Sequence, residues 1–130
     1  MESSGVVVDT SIFIDYLRAR DKKNTDLYKI PNRSIIYISA VTLYELLMGA
    51  TNEQKRDDVH LLTEDVIVLP FDEEVSFKAS EIYHELRSTN KMIEFRDIFI
   101  AATCLVYNMP ILTTNISHFE RISGLQVGLG

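Results

Sequence analysis

The sequence predicts an α/β fold in which helices flank a mainly parallel sheet of about five strands. Short apolar runs typical of buried strands, such as 6–8 and 34–38, alternate along the chain with segments of helical periodicity. The chain has 130 residues, of which 46% are hydrophobic and 25% are charged. This length and composition suit a single domain, 1–130, that is large enough to bury a core.

The strand segments are short and rich in β-branched residues, as expected of strands buried on both faces. Residues that break regular structure separate them from the next helix, and Pro70 closes the third segment. The predicted strands cover 5–9, 34–38, 66–69, 111–114 and 125–129.

The segments between the strands show helical spacing of their apolar residues. Thr10 and Ser11 can cap the first helix, and Ser39 and Asp72 can cap two later ones. The helix over 98–107 is apolar nearly all round, which indicates burial. The predicted helices cover 10–20, 26–30, 40–48, 52–64, 73–87, 98–107 and 116–121.

The composition favours a soluble cytoplasmic protein without membrane contact. The single cysteine, Cys104, excludes an internal disulfide and fits a reducing compartment. Every apolar stretch is far shorter than the roughly 20 residues that span a bilayer. The first four residues lack the basic side chains that begin a signal peptide.

The formal net charge of −6 argues against nucleic-acid binding, because proteins that bind phosphates usually present a basic surface. Two features reduce the conflict. A carboxylate cluster that binds a divalent metal adds to the negative count, while the metal reverses the local field. Basic side chains are also grouped, within 18–23 and again within 87–96.

Three acidic residues stand in segments that otherwise belong to the core. Asp9 follows an apolar strand, Glu45 is the only charge in the helix 40–48, and Asp97 opens the apolar helix 98–107. Charges in such places are costly unless they are paired, hydrogen-bonded or bound to metal. A structural explanation exists for each: Asp9 and Asp97 could cap the helices that follow, and Glu45 could pair with a buried arginine.

The predicted topology brings these acids to the carboxyl edge of the sheet, where open α/β sheets bind their ligands. Asp9 ends the first strand, Asn115 ends the fourth, and Asp97 begins a helix. Glu45 lies about 9 Å into its helix, and its side chain leans back towards the same edge. Carboxylates without His or Cys partners suit Mg²⁺ or Mn²⁺, which can activate water for phosphoryl chemistry.

Four segments resemble, in order, the motifs of PIN domains, and most of all those of the VapC-type toxins of toxin–antitoxin pairs: 7–14, 44–49, 96–102 and 112–119. The resemblance covers essentially the whole chain. It implies a doubly wound parallel sheet and a ribonuclease that cuts RNA with Mg²⁺ or Mn²⁺. It also implies a homodimer and a small antitoxin protein that blocks the site.

The resemblance assigns roles to individual residues of this chain. It implies that Asp9 and Asp97 are metal ligands, and that Glu45 is a ligand or positions the attacking water. Thr10 and Thr114 match the hydroxyl residues that line the pocket in the family.

One position departs from the family pattern, which often has a fourth carboxylate near the positions of Asn115 or His118. Asn115 can orient a water or contact a metal, but it brings no charge, so one well-held metal ion is expected. Glu94 could replace the missing acid if the helix that contains Asp97 starts early.

Basic residues near the predicted site are candidates for holding RNA phosphates, namely Arg87, Lys91 and Arg96. Arg96 could equally be a structural ion-pair partner of its neighbour Asp97. The alternative function is a degenerate PIN domain that binds RNA or protein without cleavage, which the missing fourth acid and the net charge both allow. The presence of three acids in apolar segments favours the enzyme, because binding alone would not require them.

Overall fold

The computed structural model describes residues 5–128, which contain a four-stranded parallel sheet with helices on both faces. The strands are β1 (Gly5–Val8), β2 (Ile35–Ser39), β3 (Ile67–Leu69) and β4 (Ile111–Leu112). Their order in the sheet is β3-β2-β1-β4, and each neighbouring pair is parallel. The predicted fold class is confirmed, with four strands where about five were expected.

Most of the predicted helices form, with shifted ends. They are α1 (Thr10–Arg18), α2 (Ala40–Gly49), α3 (Glu53–Thr63), α4 (Glu73–Ser88), α5 (Phe95–Val106) and α6 (Ile116–Phe119). The side chains of Ser39 and Asp72 cap α2 and α4 as predicted, each by accepting the N–H three residues ahead. Within residues 5–128, no helix combines the length and the apolar character that crossing a bilayer requires.

Two predicted elements differ from the structure. The helix expected over 26–30 is replaced by a single 3-10 turn, Lys22–Asn24, followed by irregular turns. The fifth strand, expected over 125–129, is reduced to one parallel bridge between Ile111 and Val127. Gly124 and Gly128 have φ angles of 81° and 94°, so the backbone leaves the extended conformation on both sides of that bridge. Residue 129 lies outside the described residues.

The central strand β1 is buried on both faces because its side chains alternate between two cores. Val6 and Val8 pack in the core beneath α1 and α2, while Val7 packs in the opposite core with α4 and α5. All three valines are fully buried. Asp9 directly follows a strand that is buried on both faces, and this position explains why its carboxylate lies in the interior.

Gly5 begins β1 at a position where a side chain has no room. A Cβ atom there would lie 2.7 Å from Cε2 of Tyr37 and 2.8 Å from Sδ of Met109. We expect Gly5→Ala to lower the free energy of unfolding by about 1–3 kcal/mol, because the ring and the thioether must both shift. Urea denaturation measures the change.

Gly49→Ala is the matched control, because nothing lies within 4 Å of the Cβ position at this end of α2. This substitution should leave the stability unchanged or raise it by up to about 1 kcal/mol. Equal stability of the two variants would contradict the packing argument for Gly5.

Candidate active site

Asp9 is fully buried at the carboxyl end of β1, where it also caps α1. Its Oδ1 accepts the backbone N–H of Thr10 at 2.8 Å. Its Oδ2 accepts hydrogen bonds from the hydroxyls of Ser11, at 3.0 Å, and Thr113, at 2.8 Å. The cap on α1 is therefore Asp9 itself, not Thr10 or Ser11, and both carboxylate oxygens are held in fixed directions.

Glu45 approaches Asp9 from α2 and is held by Thr10. The Thr10 hydroxyl donates to Oε1 of Glu45 at 2.7 Å and also lies 3.1 Å from the hydroxyl of Thr42. The Glu45 side chain is 19% exposed, against 0% for Asp9 and 2% for Asp97. Glu45 is thus the most solvent-exposed of the three acids.

Asp97 lies in the first turn of α5, one turn beyond the position at which it would cap the helix. Because α5 begins at Phe95, the prediction that Asp97 opens or caps this helix is wrong. The N-cap position belongs to Glu94, which is exposed and makes no side-chain cap bond. Oδ2 of Asp97 instead lies 3.1 Å from Nδ1 of His118, so an Nδ1–H of His118 can donate to it.

The guanidinium of Arg96 lies between the three acids and joins all of them. Its Nε and Nη2 donate to the two oxygens of Glu45 at 2.6 and 2.8 Å. Nη2 also donates to Oδ1 of Asp9 at 3.1 Å, and Nη1 donates to Oδ1 of Asp97. Of the two roles predicted for Arg96, the structure shows the ion pair, and it extends to Asp9 and Glu45 as well as to Asp97.

The pKa values within this cluster move in opposite directions. Burial raises the pKa of Asp97 and the charge of Asp9 adds to the rise, although His118 and Arg96 act against it. Burial also raises the pKa of Glu45, but the hydrogen bonds from Arg96 and Thr10 and the charge of Arg96 together outweigh it, so the net shift is downwards. The pKa of Arg96 is raised, chiefly by its hydrogen bonds to Glu45. The guanidinium therefore stays charged.

The donor set of this cluster fits a hard divalent cation, because it consists of carboxylate oxygens that converge on one cationic centre. Within residues 5–128, however, no three acidic, His or Cys side chains surround a common point closely enough to bind a metal. The acids are arranged around the guanidinium of Arg96 instead. That Asp9, Asp97 and Glu45 hold Mg²⁺ or Mn²⁺ stays a prediction.

The structure brings Thr113 to the acids, and not Thr114, which the sequence analysis assigned to the pocket. Thr114 is exposed, and only its backbone N–H approaches the site, by donating to Ser11 Oγ at 3.2 Å. The parallel register pairs Val8 with Leu112, so the residues that follow these two, Asp9 and Thr113, are neighbours. Alternation along β4 could have indicated that Thr113 shares the inward face of Ile111.

Asn115 stands next to the site at the start of α6, but its side chain makes no hydrogen bond within the described part of the chain. Its backbone N–H donates to Oγ1 of Thr113 at 3.0 Å. The amide side chain is thus free to orient a water, and this role stays a prediction.

Arg87 and Lys91, the other two residues predicted to bind phosphate, do not join the acids. Nη1 of Arg87 donates to the hydroxyl of Tyr83 on the same helix, and Lys91 is exposed in the turn after α4. Their role in binding RNA stays a prediction.

Thr113→Val tests whether this hydroxyl positions Asp9. We expect the free energy of unfolding to fall by about 1–3 kcal/mol, because the backbone N–H of Asn115 loses its acceptor and Asp9 loses a donor. Urea denaturation without metal measures this change in the free energy of unfolding. Thr114→Val is the matched control and should change the stability by less than about 0.5 kcal/mol. Equal effects of the two substitutions would contradict the positioning role.

The chain belongs to the PIN domain family, whose pattern it matches over residues 6–125. Ribonuclease VapC of Rickettsia bellii is 36% identical to it over 95% of this chain and 94% of the relative. Ribonuclease VapC1 of Methanocaldococcus jannaschii is 31% identical over 97% of this chain and 88% of the relative. A solved structure of VapBC-1 from nontypeable Haemophilus influenzae superposes with a TM-score of 0.82 at 28% identity, over 95% of this chain and 96% of that one.

Proposed function

We propose that residues 1–130 form a single PIN-like nuclease domain that acts as a metal-dependent endoribonuclease, the toxin of a toxin–antitoxin pair. The observation that carries this proposal is the convergence of Asp9, Glu45 and Asp97 at the carboxyl edge of the sheet. The relatives named ribonuclease VapC, which this chain resembles along nearly its whole length, support RNA as the substrate.

In this proposal, Asp9 and Asp97 hold Mg²⁺ or Mn²⁺, and Glu45 is a further ligand or positions the attacking water. When bound, the metal would activate water and offset the charge that builds up on the phosphate in the transition state. Asp9 suits the role of fixed ligand, because donors from Thr10, Ser11 and Thr113 direct both of its oxygens.

Glu45 suits the role of proton acceptor. It is the most exposed of the three acids, so water reaches it first. The Thr10 hydroxyl holds Oε1, so Oε2 is the oxygen left to receive the proton once Arg96 no longer binds it. Asn115 can orient the same water.

The partners in this proposal are RNA, a second copy of the chain and a small antitoxin. The similarity to a VapBC structure supports the antitoxin. The reaction would take place in the cytoplasm.

The test is incubation of the purified chain with single-stranded and structured RNAs in the presence of Mg²⁺, Mn²⁺ or EDTA. We expect cleavage with either metal and none in EDTA. Asp15→Asn is a suitable control, since Asp15 is an exposed acid on α1 outside the cluster, and it should cleave like the wild type. Cleavage that persists in EDTA would contradict metal dependence. RNA binding without cleavage under every condition would favour the degenerate PIN domain, in which Asn115 replaces an acid.

A further inference from the structure

Within residues 5–128, Arg96 is the side chain that contacts all three carboxylates of the cluster, and the one other basic side chain in contact with them is His118, beside Asp97. The guanidinium of Arg96 donates four hydrogen bonds to the three acids. Across the same residues, every buried side-chain nitrogen and oxygen has a hydrogen-bond partner. The three acids are therefore satisfied as an ion-pair network, with the Arg96 guanidinium between them.

The charges do not balance in this network. When the three carboxylates are ionised, one guanidinium leaves an excess of two negative charges. A divalent ion would offset more of the negative charge than the guanidinium does, at the same oxygens.

Each of the three acids has a hydrogen-bond donor other than Arg96. Asp9 is held by the backbone N–H of Thr10 and by two hydroxyls, and Glu45 is held by the Thr10 hydroxyl. Asp97 is held from its other side by His118. If the guanidinium left, the three carboxylates would still face one another.

Arg96 also has a path out of the cluster. Its backbone is in the first turn of α5, and its side chain is 25% exposed, whereas Asp9 beneath it is fully buried. The guanidinium therefore reaches the acids from the solvent-exposed side of the cluster, which we call the mouth of the site, and rotation of its long side chain would carry it back to solvent.

We propose that Arg96 is the resident cation of this site, and that a divalent metal binds by displacing its guanidinium. The inference rests on the metal site of the proposed function and adds a competition between two cations of the same pocket. The apparent affinity for metal is lowered by the fraction of time that Arg96 occupies the acids. Once displaced, the guanidinium stands at the mouth, where an RNA phosphate can accept its hydrogen bonds.

The first test measures Mn²⁺ binding by electron paramagnetic resonance, in which the signal of the free ion falls as the ion binds. If Arg96 occupies the acids more than nine-tenths of the time, Arg96→Gln should lower the Kd for Mn²⁺ by at least about tenfold. Arg56→Gln is the matched control, because Arg56 is an exposed arginine on α3 outside the cluster, and it should leave the Kd unchanged. An unchanged or weakened affinity in Arg96→Gln would overturn the proposal.

The second test separates displacement from a simple change of charge. The Nε–H of Arg96, identified by its absence from the spectrum of Arg96→Gln, can be followed by ¹⁵N NMR during titration with Mg²⁺. Without metal it donates to Glu45 and should exchange slowly with water. We expect it to lose this protection as Mg²⁺ saturates the site. Protection that survives saturation would show that metal and guanidinium bind together, and would overturn the displacement.

Neither measurement contains RNA, so the inference and the proposed function can fail separately. A chain that binds metal and releases Arg96 but cleaves no RNA contradicts the proposed function alone. A chain that cleaves RNA with metal while Arg96 stays protected contradicts the displacement alone. Failure of both the wild type and Arg96→Gln to bind Mn²⁺ or Mg²⁺ would overturn the displacement and the metal site together.

Discussion

Asp9→Asn is expected to lower the rate of RNA cleavage by about 1,000-fold or more. A metal contributes several kcal/mol to stabilisation of a phosphoryl transition state, and each 1.4 kcal/mol corresponds to about a factor of ten in rate. Asp9 is the most deeply buried of the proposed ligands. Loss of its charge should therefore remove most of the metal and most of the rate together.

The same substitution should destabilise the fold by about 1–3 kcal/mol. Four groups donate to the two oxygens of Asp9. The amide oxygen can accept from Thr10 and Arg96, but the amide nitrogen then faces the two hydroxyls, which lose their acceptor, and the ion pair with Arg96 loses its negative charge. Cleavage with saturating Mg²⁺ and urea denaturation in EDTA measure the two effects, with Asp15→Asn as the control. Cleavage within tenfold of the wild type would contradict the assignment of Asp9.

Asp97→Asn is expected to abolish cleavage and to raise the free energy of unfolding at pH 7. Glu45→Gln should instead lower the free energy of unfolding at this pH. The folded state raises the pKa of Asp97, so it disfavours the charged carboxylate that the neutral amide replaces. The folded state lowers the pKa of Glu45, so it favours that charge, which glutamine removes. The two acids of one cluster should therefore differ in the sign of their effect on stability.

The pH dependence follows from the same shifts. Asp97 contributes stability below its usual pKa of 3.8, and this contribution is lost as the pH rises through the raised value of the folded state. Glu45 contributes stability above its usual pKa of 4.5, and this is lost as the pH falls through the lowered value. For both variants, the difference from the wild type in the free energy of unfolding should become smaller as the pH falls from 7 towards 4. Urea denaturation in EDTA across this range tests both, and a less stable Asp97→Asn at pH 7 would contradict the sign.

The fold class could be predicted from the sequence because the pattern that encodes it is local. Three consecutive buried valines in β1 indicate a strand with two covered faces, and the caps Ser39 and Asp72 mark where helices begin. The acids were identifiable for the same reason, since a carboxylate within an apolar segment requires an explanation. These features need no knowledge of which segments meet in space.

The partners of the acids could not be predicted, because they depend on contacts between distant segments. Arg96 and Glu45 are 51 positions apart, and Thr113 and Asp9 are 104 apart. The sequence could place Arg96 beside Asp97, but the direction of its side chain depends on where α5 begins. The sequence analysis began this helix at 98 because Glu94, which occupies the N-cap position, is not one of the residue types that usually mark a helix start.

The strand order β3-β2-β1-β4 has a consequence for the synthesis of the chain. The partner that covers the second edge of β1 is β4, which begins at Ile111 and is translated after all the other strands. A ribosome that stops before this point would release a polypeptide with an open, apolar strand edge, which favours aggregation. That polypeptide would also lack Thr113, the hydroxyl that orients Asp9. Premature termination should thus give an insoluble and inactive product, even when Asp9, Glu45 and Asp97 have all been synthesised.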